Sequence, residues 1–126
     1  MKGFLAIALL AISSAAWANS SCDTPKNDFD GLYCLNKVYQ QADTDLNAAY
    51  KGLSAKLDGA GRATLKQGQL AWMRQRNDSC SMHKGTGFYV DLNCATQTTI
   101  ERTRFVQDRL RECVSSGCRN SQLGAP

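Results

Sequence analysis

Apolar residues recur every seven positions in the first half of the chain, and smaller residues fall between them. The series is Leu32, Tyr39, Leu46 and Leu53, with Leu35, Ala42 and Ala49 in between. Steps of three and four residues place all of these positions on one face of a helix. The pattern predicts a long amphipathic helix over about residues 32–57, with Asp30 as its cap. The two alanines would let a neighbouring helix approach closely.

Two further segments have helical spacing after the break at Asp58-Gly59-Ala60-Gly61. The second helix is predicted over about residues 62–81, and its inward positions are Leu65, Gly68 or Gln69, Trp72 and Arg76. The third is predicted over about residues 92–113, capped by Asp91 or Asn93, with an inward face of Ala95, Thr98, Arg102, Phe105 or Val106, and Arg109. Because the connections are short, successive helices should run antiparallel.

The segment between the second and third helices is predicted to form a loop. Residues 84–89 contain two glycines, and Phe88-Tyr89-Val90 is expected to extend only briefly. The sequence shows no convincing strand. The predicted fold is therefore all-α, a small antiparallel bundle of about three helices stapled by disulfides.

The first eighteen residues have the features of a signal peptide. Lys2 precedes an apolar run from Phe4 to Ile12, and Ala16-Trp17-Ala18 is a small-x-small cleavage site. The apolar run is too short to span a bilayer, and Cys22 does not directly follow the cleavage site, so no membrane anchor is expected. The mature protein should be periplasmic or secreted. It would comprise an extended lead-in (19–31), a helical domain (32–113) and a C-terminal tail (114–126) that lacks order from Arg119.

Six cysteines follow the predicted cleavage site. They are Cys22, Cys34, Cys80, Cys94, Cys113 and Cys118. An even number of cysteines in a short secreted chain is typical of a disulfide framework. Many pairings are possible and the spacing does not choose among them, although pairing in sequence order is the simplest.

Several polar residues fall on the inward helix faces, where unpaired polar groups are costly to bury. They are Asp43, Asn47 and Tyr50 on the first helix, Gln69, Trp72 and Arg76 on the second, and Arg102 on the third. The two arginines call for carboxylate partners, with Asp43 and Asp45 the nearest candidates. We interpret the set as a structural network that fixes the helix register. The alternative is a pair of substrate-binding arginines.

Charge and the remaining side chains argue against several classes of function. The net charge is +4, and removing Lys2 lowers it by one. Acidic residues are interleaved with the late arginines, and glycine-rich phosphate loops are absent, so nucleic-acid binding is not expected. Cys80 beside His83 could suggest a thiol nucleophile, but a disulfide is expected in an oxidising compartment. The spacing fits no zinc site. We predict no enzyme activity, no cofactor and no metal.

Taken together, several of these residues resemble a known family. The motifs are Asp43-x-x-Leu46-Asn47-x-x-Tyr50, then Gln69-x-x-Trp72-x-x-x-Arg76-x-Asp78-x-Cys80, a glycine-containing loop, Cys94 and Arg102. They are similar to the LprI-type lysozyme-inhibitor domain of small secreted or lipid-anchored bacterial proteins, over about residues 22–112. The resemblance implies a helical, disulfide-stapled domain with a leading cysteine pair at Cys22 and Cys34, and an inhibitor of lysozyme.

An inhibitor needs a rigid projecting element, and the segment from Ser81 to Asn93 fits this requirement. It offers a set of candidate partner-binding residues, namely His83, Lys84, Phe88 and Tyr89. The predicted partner is a lysozyme or a related cell-wall hydrolase, whose cleft the protein would occlude. Because lysozymes are often basic, like charge would slow the encounter. The alternative function is an envelope-stress or immunity-type protein that binds a different partner.

Overall fold

The computed structural model describes residue 22 and residues 24–126. Its elements are helix α1 (Asp28–Ser54), helix α2 (Gly59–Ser79), strands β1 (Ser81–Lys84) and β2 (Gly87–Val90), helix α3 (Leu92–Ser116) and a short 3-10 helix (Asn120–Gln122). Three long helices confirm the predicted, mainly all-α fold. The predicted signal peptide lies outside the described residues, so it stays a prediction.

Helix α1 begins four residues earlier than the apolar pattern predicted. Its N-cap is Asn27, whose side-chain Oδ1 accepts a hydrogen bond from the Asp30 backbone N–H at 2.9 Å. The prediction of Asp30 as the cap was therefore wrong. Asp28 and Asp30 lie inside the first turn, where negative charge is favourable at the helix N-terminus. The end of the predicted lead-in is thus helical.

Aspartates cap the other two helices. Asp58 Oδ1 accepts from the Gly61 backbone N–H at 2.7 Å, and Asp91 Oδ1 accepts from the Cys94 N–H at 2.9 Å. These contacts satisfy backbone donors that have no partner within the helix. Asp58 also accepts from the Asn120 side chain at 3.1 Å. The cap of α2 is therefore joined to the C-terminal segment.

Helix α1 lies beside α3 and runs parallel to it, while α2 runs antiparallel to both. The direction follows from the matched positions: Ala42 and Thr103 line one groove, and Gly52 lies against Leu110 further along. Three threonines on α3 are buried and donate their hydroxyl protons to carbonyls of their own helix; they are Thr96, Thr99 and Thr103. Small side chains with internally satisfied hydroxyls allow α1 and α3 to pack closely.

The aliphatic core lies toward the end where α1 joins α2. Its buried members are Leu46, Leu53, Leu57, Leu65, Val106 and Leu123, with Trp72 at its edge. Leu123 comes from the segment that was predicted to lack order, and it is only 1% exposed. A Cβ added at Gly68 would lie 2.8 Å from the Leu123 carbonyl oxygen, so α2 needs glycine there. The C-terminal segment is part of the core, and the prediction for it was wrong.

The segment between α2 and α3 is a β-hairpin rather than a loop. Strands β1 and β2 pair antiparallel, with His83 opposite Phe88 and Met82 opposite Tyr89. Gly85 has φ of +61°, which glycine adopts without strain in a tight turn. The Asp91 backbone N–H donates to the Cys80 carbonyl oxygen at 2.8 Å and closes the base of the hairpin. The two strands correct the prediction that no strand was present.

The cysteines pair in sequence order, as Cys22–Cys34, Cys80–Cys94 and Cys113–Cys118. This confirms the simplest of the pairings that the sequence left open. The first bridge ties the lead-in to α1, the second joins α2 to the start of α3 below the hairpin, and the third closes the end of α3. Within the described residues, no helix is long and apolar enough to cross a membrane.

Candidate functional site

Arginines alternate with aromatic rings through the middle of the bundle. Each step is a guanidinium carbon near a ring centroid: Tyr39–Arg76 at 5.7 Å, Arg76–Trp72 at 5.0 Å, Trp72–Arg102 at 5.7 Å, Arg102–Phe105 at 4.5 Å and Phe105–Arg109 at 5.7 Å. We call these six residues the arginine–aromatic chain. Cations near ring faces gain electrostatic attraction, which offsets part of the cost of burying them. The arginine–aromatic chain contains residues of all three helices.

Arg76 has the more fully satisfied guanidinium of the two buried arginines. It donates to Thr99 Oγ1 at 3.4 Å and to Asn77 Oδ1 at 3.2 and 3.3 Å. Asp43 Oδ1 lies 3.8 Å from its Nη1, and the Asp43 side chain is 46% exposed. Of the two carboxylates considered from the sequence, Asp43 is the one that pairs with Arg76.

Arg102 is only 3% exposed and finds neutral partners instead of a carboxylate. Its Nε donates to Gln69 Oε1 at 2.9 Å, and its Nη1 donates to the Ala125 carbonyl oxygen at 2.7 Å. Burial lowers the pKa of Arg102 to about 10, so the side chain is still a cation at neutral pH. The expectation of a carboxylate partner for Arg102 was wrong.

Two other residues of the predicted polar network, Asn47 and Tyr50, form no hydrogen bond with either arginine. Asn47 is exposed, and its amide donates to Asp43 Oδ2 at 3.5 Å. Tyr50 is half-buried and packs against the aliphatic core. The structure therefore brings together Asp43, Trp72 and Arg76, and separately Gln69, Trp72 and Arg102. The sequence treated these as one set because it could not place the helices relative to one another.

The hairpin presents large apolar side chains to solvent. Met82 is 62% exposed, Phe88 60%, Tyr89 56% and Val90 50%. Alternation along the strands places His83 and Phe88 on one face, where their ring centroids are 5.0 Å apart. Met82 and Tyr89 lie on the other face, and the Tyr89 ring covers Gly87. All four predicted partner-binding residues are thus exposed on one projecting element, and Lys84 lies at its tip.

The start of α1 adds a second exposed apolar group at the same end of the bundle. Phe29 is 75% exposed, Leu32 60% and Tyr33 55%, and the Phe29 and Tyr33 rings stack with centroids 6.5 Å apart. Leu32 was predicted to face inward, which was wrong. The first turns of α1 extend beyond the aliphatic core. Residues of the apolar series that lie there, such as Leu32, are therefore exposed to solvent. Phe29 and Tyr33 were missed, although their i, i+4 spacing beside the apolar series was a visible signal.

Two cavities lie beside the exposed apolar residues of the hairpin and of the start of α1. One of about 350 Å³ lies between α1 and the hairpin, lined by Tyr39, Arg76, Asn77, Cys80, Ser81, Phe88, Val90 and Ala95. The other, of about 380 Å³, is lined by Phe29, Leu32, Tyr33, Asn36 and Leu92. Asn36 is about one helical turn before Tyr39, and Leu92 is two residues beyond Val90, so the cavities are neighbours. We call the exposed residues around them the hairpin-end surface: Phe29, Leu32, Tyr33, Met82, Phe88, Tyr89 and Val90.

The geometry gives little support to catalysis. Cys80 is bonded to Cys94, which removes the thiol that a nucleophile beside His83 would need. In the part of the chain that the structure describes, no three histidine, cysteine or acidic side chains lie together as a metal site would require. What the arrangement offers is a rigid, largely apolar surface with one cation at the hairpin tip.

Comparison with known protein families gives a match over most of the chain. The family described as "Lysozyme inhibitor LprI" matches residues 19–106. The matched region contains α1, α2, the hairpin and more than half of α3, and it ends before the Cys113–Cys118 bridge. No curated protein and no solved structure matches the chain.

Proposed function

The chain belongs to the LprI family of lysozyme inhibitors, and from this membership we propose that it inhibits a lysozyme or a related cell-wall hydrolase by inserting its hairpin into the enzyme cleft. It would act outside the cytoplasm, which is consistent with three disulfides. The observation that carries the proposal is the hairpin-end surface. It gathers exposed aromatic and aliphatic side chains from the stapled hairpin and from the start of α1.

Rigidity is the first requirement that the hairpin meets. Cys80 and Cys94 lie on either side of the hairpin and form a disulfide, and the Cys80 carbonyl oxygen accepts a hydrogen bond from the Asp91 N–H. Ser81 Oγ also donates to the Asn77 carbonyl oxygen at 2.5 Å, which joins β1 to the last turn of α2. A projection that is already ordered loses little conformational entropy on binding.

Shape and chemistry are the second requirement. Phe88 and Tyr89 are adjacent in sequence but point to opposite faces of the hairpin, so they can contact both walls of a cleft. Aromatic anchors of this kind supply much of the binding energy at protein interfaces. The start of α1 widens the contact with Phe29 and Tyr33.

The positive charge of Lys84 at the hairpin tip favours binding to a glycosidase cleft, although the net charge of the whole protein is also positive. Enzymes of this class use a pair of carboxylates at the scissile bond. Lys84 is exposed at the hairpin tip beside the Gly85 turn, where it can approach such a pair. The net charge of +4 would slow the encounter with a basic enzyme, while the local pairing would slow dissociation.

The direct test is inhibition of muramidase activity by the oxidised protein. We expect saturable inhibition, and we expect Lys84→Glu to weaken it about tenfold or more by opposing the carboxylates. Lys66→Glu makes the same charge change at an exposed position on α2 and should inhibit almost as well as the wild type.

Two results would contradict the proposal. The first is no inhibition at a large molar excess of correctly folded, oxidised protein. The second is an equal loss with Lys84→Glu and Lys66→Glu, which would show that net charge matters and the hairpin tip does not.

The positive net charge favours one other function, that of an envelope-stress or immunity-type protein with an acidic partner. Capture of envelope proteins on the immobilised oxidised protein distinguishes the two. Recovery of a muramidase that is lost with Lys84→Glu supports the inhibitor. Recovery of an acidic, non-hydrolase partner that both lysine variants weaken equally supports the alternative.

A further inference from the structure

A third cavity shares Arg76 with the cavity beside the hairpin, and its other lining residues are different. Its volume is about 350 Å³, and its lining includes Trp72, Gln75, Arg76, Glu101, Arg102, Phe105 and Pro126. This volume is within the range of small-molecule sites. The walls combine two aromatic rings with two guanidinium groups, which is the composition of a site for a compact anion with an apolar body.

Arg102 is the residue that gives the cavity its specific chemistry. Its Nη2 is buried and meets no hydrogen-bond acceptor among the described residues, although Nε and Nη1 both have neutral partners. A buried guanidinium nitrogen without an acceptor costs free energy, because the donor has left water and gained nothing in return. Trp72 and Phe105 hold the guanidinium in place through contacts at 5.7 and 4.5 Å.

The balance of charge around the cavity indicates what kind of anion it suits. Arg76 and Arg102 contribute two positive charges, and Glu101, which is exposed, contributes one negative charge. Arg76 already has Asp43 nearby at 3.8 Å, whereas Arg102 has no carboxylate partner among the described residues. Arg102 is therefore the guanidinium of the cavity whose bonded partners are all neutral, and a single cation of this kind fits a monoanion better than a dianion such as phosphate.

We propose that this cavity binds a small molecule bearing one carboxylate, which accepts hydrogen bonds from Arg102 while its apolar part packs on Trp72 and Phe105. Planar guanidinium and carboxylate groups match each other in geometry. Pro126, next to the Ala125 carbonyl that accepts from Arg102 Nη1, is exposed and lines the same cavity. The proposal does not depend on inhibition of a hydrolase.

A carboxylate can reach such a site from a peptide C-terminus or from a sugar acid, and matched probes distinguish these sources. N-acetylalanine and glucuronate carry the carboxylate, while N-acetylalaninamide and glucose are their neutral counterparts. We would titrate each into the oxidised full chain and follow the NMR signals of the Trp72 indole N–H and the Arg102 guanidinium. We expect saturable shifts with one or both carboxylates, at about millimolar affinity, and at least tenfold weaker binding of the neutral compounds.

Variants at the rim test the sign of the charge without disturbing the buried arginines. Glu101→Gln removes the negative charge and should tighten carboxylate binding about twofold to fivefold. Gln75→Glu adds a negative charge and should weaken it by a similar factor. Gln67→Glu makes the same change two helical turns away on α2, outside the cavity, and should leave the affinity unchanged.

Three results would overturn the proposal. One is the absence of saturable shifts with either carboxylate at about 100 mM, well above the expected affinity. Another is equal binding of the carboxylates and their neutral counterparts, which would remove the role of charge. The third is tighter binding of inorganic phosphate than of either carboxylate, which would contradict the assignment to a monoanion.

Discussion

The two ends of the helical bundle use apolar residues in opposite ways. At the end where α1 joins α2, leucines are buried and four of them are less than 2% exposed: Leu46, Leu53, Leu65 and Leu123. This closed end is also secured by the Asp58 cap, its bond to Asn120 and the Cys113–Cys118 bridge. At the hairpin end, seven large apolar residues are half-exposed or more, and cavities separate the elements.

We interpret this difference as a division between stability at the closed end and the recognition that we propose for the hairpin end. Burial of a leucine contributes about 1.5–3 kcal/mol to folding, so the closed end supplies much of the stability. A contiguous exposed apolar surface contributes little to folding and is typical of an interaction site. The arginine–aromatic chain lies between the two ends and positions α2, from which the hairpin projects.

The strongest test of this division is a mutation that creates a cavity in the core at the closed end. Leu65 is 0% exposed, so Leu65→Ala should lower the free energy of unfolding by about 2–5 kcal/mol. Leu70→Ala on the same helix removes a side chain that is 45% exposed and should cost far less. Denaturant unfolding measures both. Inhibition per folded molecule should be unchanged by Leu65→Ala, and a specific loss of inhibition would argue against the division.

Removal of disulfides at the two ends compares them directly. Changing Cys80 and Cys94 to serine should cost about 3 kcal/mol and should also abolish most inhibition, because the hairpin loses its anchor. Changing Cys113 and Cys118 to serine opens a shorter loop, should cost about 2 kcal/mol and should preserve inhibition. Thermal unfolding and muramidase assays give the two readouts. If both pairs affected inhibition equally, the hairpin would have no special role.

A surface truncation at each end tests recognition without affecting the core. Phe88→Ala should weaken inhibition about tenfold, which corresponds to about 1.4 kcal/mol of binding free energy. The unfolding free energy should change by less than about 0.5 kcal/mol, because Phe88 is 60% exposed. Val114→Ala, at a position 70% exposed near the closed end, is the matched control and should leave inhibition intact. A result in which Val114→Ala matters more would reverse the assignment.

The smallest expected effect concerns pH at the closed end. The Gly61 N–H, followed by the Asn120 side chain, lowers the pKa of Asp58 below its usual 3.8. A carboxyl group whose pKa is lowered by folding stabilises the fold above its unfolded pKa, and this contribution is lost as the pH falls through the folded value. The melting temperature of the wild type should therefore fall more steeply below about pH 3.8 than that of Asp58→Asn.

The Asn120→Ala variant provides the control for this effect. It removes one of the two contacts that lower the Asp58 pKa, so its acid dependence should lie between those of the wild type and Asp58→Asn. Identical profiles for all three proteins between about pH 6 and pH 2 would show that the Asp58 cap makes no pH-dependent contribution.

Much of the fold was predictable because its signals are local. The seven-residue apolar series and the Asp58 break defined α1 and α2, and the hydrophobic face of α3 was read correctly at Ala95 and Val106. Local pairing of the cysteines was also the simplest choice. The hairpin was missed because four-residue strands are too short to show a convincing alternation, although Gly85 and Gly87 marked the turn.

The candidate site was less predictable because it depends on which elements meet. His83, Lys84, Phe88 and Tyr89 were selected from the sequence and are exposed, but their role in binding stays a prediction. Phe29 and Tyr33 were missed, since only the three-dimensional structure brings the start of α1 to the hairpin end. Arg102 was expected to have a carboxylate partner because sequence spacing cannot show which oxygens converge on a buried nitrogen.

The sequence by itself determined the helices, most of their inward faces, the presence of disulfides and the family resemblance, because helical periodicity and residue spacing are properties of neighbouring positions. Tertiary structure alone decided which apolar residues are covered. Leu32 and Leu53 occupy equivalent positions in one series, yet the first is 60% exposed and the second 0%. The C-terminal segment contributes Leu123 to the core at the closed end, whereas Leu32 at the start of α1 stays exposed. Burial depends on what lies opposite a residue, and that information is not local.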